Sequence, residues 1–141
     1  MEYCNHMNLK FLSFSENESF ARVAVASFCS LKDITLEDMA DIKTAVSEAV
    51  TNCVVHAYPK EPGEIEIDCN IIDDNISINI IDKGVGIKNI ELAKKPFYTT
   101  KPDEDRSGMG FTVMEGFMDK VDVYSKIGEG TKICLYKKIA C

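Results

Sequence analysis

At 141 residues the chain has room for one domain with a sizeable core, and not for two typical ones. Its 45% hydrophobic and 28% charged residues are those of an ordinary globular chain. A net charge of -7 argues against a protein that grips nucleic acid by neutralising phosphates, and it is compatible with a basic protein partner.

The first apolar run, residues 8–14, reads as a strand with Leu9 and Phe11 on one side, although Leu12 and Phe14 blur the alternation. Ser15 and Glu18 have capping-box spacing ahead of a helix that runs from Phe20 to Leu31. A second helix starts after Thr35, a capping residue. Its apolar positions Leu36, Met39, Ile42, Ala45, Val46, Ala49, Val50 and Cys53 recur at helical spacing to about His56. Pro59 and the Pro62-Gly63 pair end it.

Ile65, Ile67, Cys69 and Ile71 then alternate with polar residues, and Asp73-Asp-Asn75 turns the chain into Ile76, Ile78 and Ile80. That is an antiparallel hairpin with one wet face. Residues 87–108 form a long polar connection with two prolines and a charged run, of the kind that inside a compact domain is usually functional or mobile. A short helix over 109–118 and strands near 121–126 and 131–138 complete the chain. The order predicts an α/β (α+β) two-layer sandwich, with helices on one face of a mixed, largely antiparallel sheet.

Six cysteines fall mostly inside periodic apolar segments, where the residue acts as a small hydrophobe. There is no CxxC pair, no secretory apolar segment, and no run near the ~20 apolar residues that a membrane span needs. These features predict a reduced, cytoplasmic protein with no membrane and no direct nucleic-acid contact.

The chemistry is concentrated in three places. Glu48, Asn52 and His56 share one face of the second helix, and a polar stripe in an apolar helix is costly unless it lines a site. Asp82-Lys-Gly84-Val-Gly86 and Ser107-Gly108-Met-Gly110 each allow backbone to approach a ligand closely. Alone, each motif also has a plain structural reading: a helix-end histidine as a cap, a strand-end aspartate in a turn, and Gly130-Thr131 in a hairpin.

In this order the parts resemble the GHKL superfamily of ATP-binding domains, which includes gyrase, histidine kinases and MutL. The resemblance implies the Bergerat fold. It makes Asn52 the amide ligand of a Mg²⁺ that bridges the phosphates, a cation that keeps much of its water and leans on phosphate oxygens. It makes Asp82 the acceptor for the adenine amino group, with Gly84 and Gly86 beside the base, Gly108 and Gly110 at the phosphates, and Thr131 near the adenine.

The segments Ser47-Glu-Ala-Val-Thr-Asn-Cys-Val-Val-His56, Pro96-Phe-Tyr-Thr-Thr-Lys-Pro102 and Ser107-Gly-Met-Gly-Phe-Thr-Val-Met114 further resemble the anti-sigma serine kinases of Gram-positive bacteria. With Ser15-Glu-Asn-Glu-Ser-Phe-Ala-Arg22, the likeness covers nearly the whole chain. It implies a homodimer that withholds a sigma factor, the sporulation factor sigma F, from RNA polymerase. It also implies that ATP is used to phosphorylate a serine on an anti-anti-sigma protein.

Glu48 is then the general base. Thr99, Thr100 and Lys101 belong to the ATP site, and Arg22 and Arg106 to partner contacts, with a plain surface arginine as the competing reading of Arg22. The alternatives are a kinase of the general-stress sigma factor, a detached histidine-kinase domain, and a nucleotide-dependent binder without transfer activity.

Overall fold

The alternating apolar runs become strands of one sheet in the computed structural model, which describes residues 3–95 and 110–139. Along the chain come β1 (Cys4–Leu12), α1 (Asn17–Cys29), α2 (Leu36–His56), β2 (Glu64–Ile72) and β3 (Asn75–Asp82). The short α3 (Ile90–Ala93), then α4 (Gly110–Phe117), β4 (Lys120–Lys126) and β5 (Gly130–Lys138) complete it.

The strands lie in the order β1-β2-β3-β5-β4, with every neighbouring pair antiparallel. This corrects the expectation of a mixed sheet. β3 and β4 point the same way, as strands joined by a helical crossover do, but β5 inserts between them and runs against both.

One face of the sheet carries the core. Ile67 and Ile71 of β2, Ile78 and Ile80 of β3, and Ile133 and Leu135 of β5 are wholly buried beneath the helices. Each such side chain contributes roughly 1.5–3 kcal/mol by leaving water. The helical layer answers with Val25 of α1, Ile42, Val46 and Val50 of α2, and Met114 of α4, all fully buried. The opposite face is polar, as the alternation predicts.

Three local expectations change. β1 begins at Cys4 and ends at Leu12 because it pairs with the full length of β2, from Cys4 opposite Ile72 to Leu12 opposite Glu64. The capping box at Ser15 does not form: α1 is preceded by Glu16 with no side-chain cap, and Glu18 instead accepts from the Ser47 hydroxyl of α2 at 2.6 Å. The polar connection contains α3, started by Asn89, whose side chain accepts from the Leu92 N–H at 3.0 Å; four residues are too few for a periodic stripe. Thr35 does cap α2, accepting from the Asp38 N–H at 3.0 Å.

The inner face also buries a cation. Lys137 of β5 is 8% exposed, and its ammonium donates to the Phe117 carbonyl at 2.8 Å and lies 3.4 Å from Asp41 and 3.9 Å from Asp38. It ties the end of α4 and the start of α2 to the sheet. Truncating one partner of a buried ion pair leaves its counter-charges stranded, so Lys137→Ala is expected to cost about 3–5 kcal/mol in urea unfolding. Lys137→Met, which keeps the stem, should cost less; equal losses for both would show that the ammonium and its partners, not the packing of the stem, carry the stability there.

Candidate functional site

Asp82 ends β3 with its side chain directed to the helix-covered side, 4% exposed. Its Oδ1 accepts from the Gly84 N–H at 2.9 Å and from the Thr131 N–H at 3.2 Å. Burial pushes the carboxyl above the ordinary carboxylate range, while the donors of Gly84 and Thr131 pull it back toward ionisation. A desolvated carboxylate at a strand end, surrounded by neutral donors, is a strong acceptor for a ligand N–H.

The backbone around Asp82 is closely assembled. The Val85 N–H donates to the Ala57 carbonyl at the end of α2 at 2.9 Å, and a Cβ on Gly84 would lie 2.1 Å from that oxygen. Gly130, at φ +110, passes so near that a Cβ would meet the Asp82 carbonyl at 2.1 Å. Gly86 is likewise left-handed, at φ +79. The end of α2, the 82–86 loop and the β4–β5 hairpin therefore meet in one place.

Side chains fasten this junction. The Tyr58 hydroxyl donates to the Glu64 carbonyl at 2.5 Å and accepts from the Lys83 N–H at 2.8 Å. The Ser125 hydroxyl lies 2.8 Å from that of Thr131 and accepts from the Ile87 N–H at 2.7 Å. Thr131 thus meets the site with its backbone N–H, and its hydroxyl serves the hairpin.

A second cluster lies one to two turns back along α2. Glu48 and Asn52 are half-buried, and Gly110, the first residue of α4, is placed so that a Cβ would lie 3.6 Å from Glu48 Oε2. Phe111 and Met114 are buried and hold α4 against α2. The first N–H groups of a helix lack partners within it and favour an anion, and α4 begins with them beside Glu48.

Among the described residues no three His, Cys, Asp or Glu side chains gather as a metal cage. A neutral amide oxygen such as that of Asn52 is of the donor type that suits Mg²⁺ held mainly through phosphate oxygens. For ATP the described residues offer a buried acceptor, Asp82, and an anion-favouring helix start at α4. His56, the third member of the α2 stripe, is half-buried one turn beyond Asn52. Thr99, Thr100, Lys101, Arg106 and Gly108 lie outside the described residues.

Arg22 is no isolated surface arginine. Its guanidinium donates to Ser19 Oγ at 2.9 Å and Ser47 Oγ at 3.4 Å, and it lies 3.8 Å from Glu18. This network borders a cleft of about 440 Å³ between α1 and α2, which reaches Lys43, Glu48 and Thr51 but not Asp82. Glu48 therefore touches both the cleft and the start of α4. Sequence periodicity offers no signal for the Ser125 hydroxyl or the Tyr58 bridge, because each acts through a partner met only in the fold.

The family described as histidine kinase-like ATPase domain matches residues 15–137. An anti-sigma F factor of Clostridium acetobutylicum is 57% identical over 136 residues, covering 96% of this chain and 95% of the relative. An anti-sigma F factor of Caldanaerobacter subterraneus subsp. tengcongensis is 55% identical over 139 residues, covering 99% and 97%.

Among solved structures, the RsbU and RsbW domains of Rv1364c from Mycobacterium tuberculosis superpose with a TM-score of 0.70 at 19% identity, covering 96% of this chain and 32% of that one. The histidine kinase domain of a blue-light activated kinase from Erythrobacter litoralis gives 0.55 at 19% identity, covering 73% and 45%. At that identity both speak for the fold. With this fold, and with relatives of more than half identical sequence over nearly its full length, the chain belongs to the histidine kinase-like ATPase family, among the anti-sigma F factors.

Proposed function

We propose that this chain is an anti-sigma factor that captures sigma F and, with ATP and Mg²⁺, phosphorylates a serine of its anti-anti-sigma antagonist. The observation that carries the kinase reading is the placement of Glu48 beside the first residue of α4. A general base and an anion-favouring helix start then lie side by side along α2, the helix whose end meets the loop after Asp82 through the Val85 N–H and the Ala57 carbonyl. ATP supplies the phosphoryl group, and Mg²⁺ neutralises charge on its oxygens.

The residues divide the work. Asp82 accepts from the adenine amino group, and the Asn52 amide oxygen binds the cation together with phosphate oxygens. The N–H groups opening α4 hold the anion. Glu48 takes the proton of the substrate serine as its oxygen bonds to the γ-phosphorus and the bond to the β-phosphate oxygen breaks, so positioning and charge neutralisation supply the rest.

The partner surface is proposed on α1, around Arg22. Phe20 and Val23 of that helix are 53% and 59% exposed beside the Glu18–Ser47–Arg22 network, which supports both a homodimer contact and a protein partner there. The absence of any described helix long and apolar enough to cross a membrane is compatible with a cytoplasmic site of action.

The test is a transfer assay with labelled ATP, Mg²⁺ and the antagonist protein, with sigma F capture measured in parallel on wild type and Arg22→Glu. Label on an antagonist serine is expected with the wild type. Arg22→Glu should weaken sigma capture about tenfold or more, by removing a positioned charge and its hydrogen bonds, with ATP affinity kept. ATP binding without label on the antagonist would overturn the kinase reading; undiminished capture by Arg22→Glu would remove α1 from the partner surface.

A further inference from the structure

The ladder between β2 and β3 ends at the pair Ile65–Asp82. Beyond it the Tyr58 hydroxyl stands between the next two backbone groups, donating to the Glu64 carbonyl at 2.5 Å and accepting from the Lys83 N–H at 2.8 Å. The chain therefore leaves the sheet on a side-chain hydroxyl, one residue after Asp82.

Three successive donors of the loop are accounted for in this way. The Lys83 N–H goes to Tyr58, the Gly84 N–H to Asp82 Oδ1 at 2.9 Å, and the Val85 N–H to the Ala57 carbonyl at 2.9 Å. Ala57 and Tyr58 are the two residues that follow α2, so the helix bearing Glu48 and Asn52 holds the loop directly. The Tyr58 ring is itself fixed. A Cβ on Gly63 would collide with it, and Gly63 is tied to Ser13 by its N–H to Ser13 Oγ at 3.0 Å and by its carbonyl to the Ser13 N–H at 2.8 Å.

We propose that Tyr58 is a positioning residue for base recognition, its hydroxyl holding the backbone at Lys83 so that the Asp82 carboxylate faces the exocyclic amino group of the purine. This rests on the reading of Asp82 as the adenine acceptor. A hydroxyl suits the place because it satisfies a carbonyl and an N–H at once. Phenylalanine there would fill the same space and free both groups to pair with each other or with water, and either outcome moves the Lys83 backbone and the carboxylate before it. A hydrogen bond to the base tolerates little such movement, because its strength falls steeply with misalignment.

The experiment compares calorimetric binding of ATP and of purine riboside triphosphate, which lacks the amino group, to the full chain with Mg²⁺. Tyr58→Phe should weaken ATP by about three- to tenfold, the size of one hydrogen bond, and leave the amino-free nucleotide within about twofold. Placed on Asp82→Asn, the same substitution should change ATP affinity by less than about twofold, since two residues acting through one bond are not additive. In the ligand-free wild type the Lys83 amide should exchange its hydrogen at least about tenfold more slowly than an open chain, a reading that requires no variant to fold.

Equal losses for both nucleotides, no loss for either, full additivity with Asp82→Asn, or open-chain exchange at Lys83 would each overturn the proposal and leave Tyr58 a packing residue. Asp82→Asn alone separates the two levels of the argument. If it keeps ATP affinity, the adenine reading falls and the proposal with it; if it loses ATP while Tyr58→Phe does not, only the role of Tyr58 falls.

Discussion

Glu48→Gln is expected to keep ATP bound and to lower phosphoryl transfer to the antagonist by about 10²–10⁴-fold, the range by which a positioned general base accelerates proton removal. The substitution preserves length and shape and removes the charge and the basicity. Because Glu48 is half-buried beside Gly110 and not in the core, the fold should tolerate it. Single-turnover transfer of label, with ATP affinity measured separately, reads the two effects apart.

The same variant decides between function classes. A nucleotide-gated binder has no use for a carboxylate one turn before Asn52, so sigma capture and every other measurable activity would survive the change. A kinase loses transfer and keeps capture. Transfer at the wild-type rate in Glu48→Gln would show that the base lies elsewhere and that phosphate positioning by α4 and Asn52 does most of the work.

How much of this was readable without the structure depends on the range of each signal. The β2–β3 hairpin was legible because one buried face forces strict alternation, and Ile65 through Ile80 show it. The long α2 was legible for the same reason at helical period, and its polar stripe stood out against that background. Local patterns report burial; they do not report partners.

The insertion of β5 between β3 and β4 left no mark, since an inner strand reads the same wherever it pairs. Lys137 resembles any strand-end lysine until Asp38, Asp41 and the Phe117 carbonyl converge on it. Glu18 has capping-box spacing from Ser15, yet the Ser47 hydroxyl competes for the same carboxylate and wins. In the site, Asp82 and Gly84 were conspicuous by type and spacing, whereas the bridging role of Tyr58 shows only where Glu64 and Lys83 meet its hydroxyl.

Asp82→Asn is expected to move binding and stability in opposite directions. Binding should fall by about ten- to a hundred-fold for ATP, because the charge-assisted bond to the amino group is replaced by a neutral amide that also presents donors of its own. Stability of the ligand-free protein should rise. Burial is the leading cause of the raised carboxyl pKa at Asp82, so at neutral pH the folded state holds a charge that the unfolded chain would keep in water.

The pH dependence fixes the sign. With the folded pKa above the ordinary 3.8, the native state binds this proton more tightly than the unfolded state does. The contribution of Asp82 to stability is therefore greatest at acid pH, falls as pH rises between 3.8 and the raised folded value, and stays at its least favourable above that. The excess in Tm of Asp82→Asn over wild type should open across that window and vanish below it.

A lower Tm for Asp82→Asn at pH 7, or a difference independent of pH, would mean that the bonds to Gly84 and Thr131 outweigh the cost of burying the charge. The expected result instead marks Asp82 as a residue whose presence costs the fold and serves the ligand. A carboxylate held against that cost, within reach of two converging backbone donors and with backbone packed closely around it, is explained by what it binds.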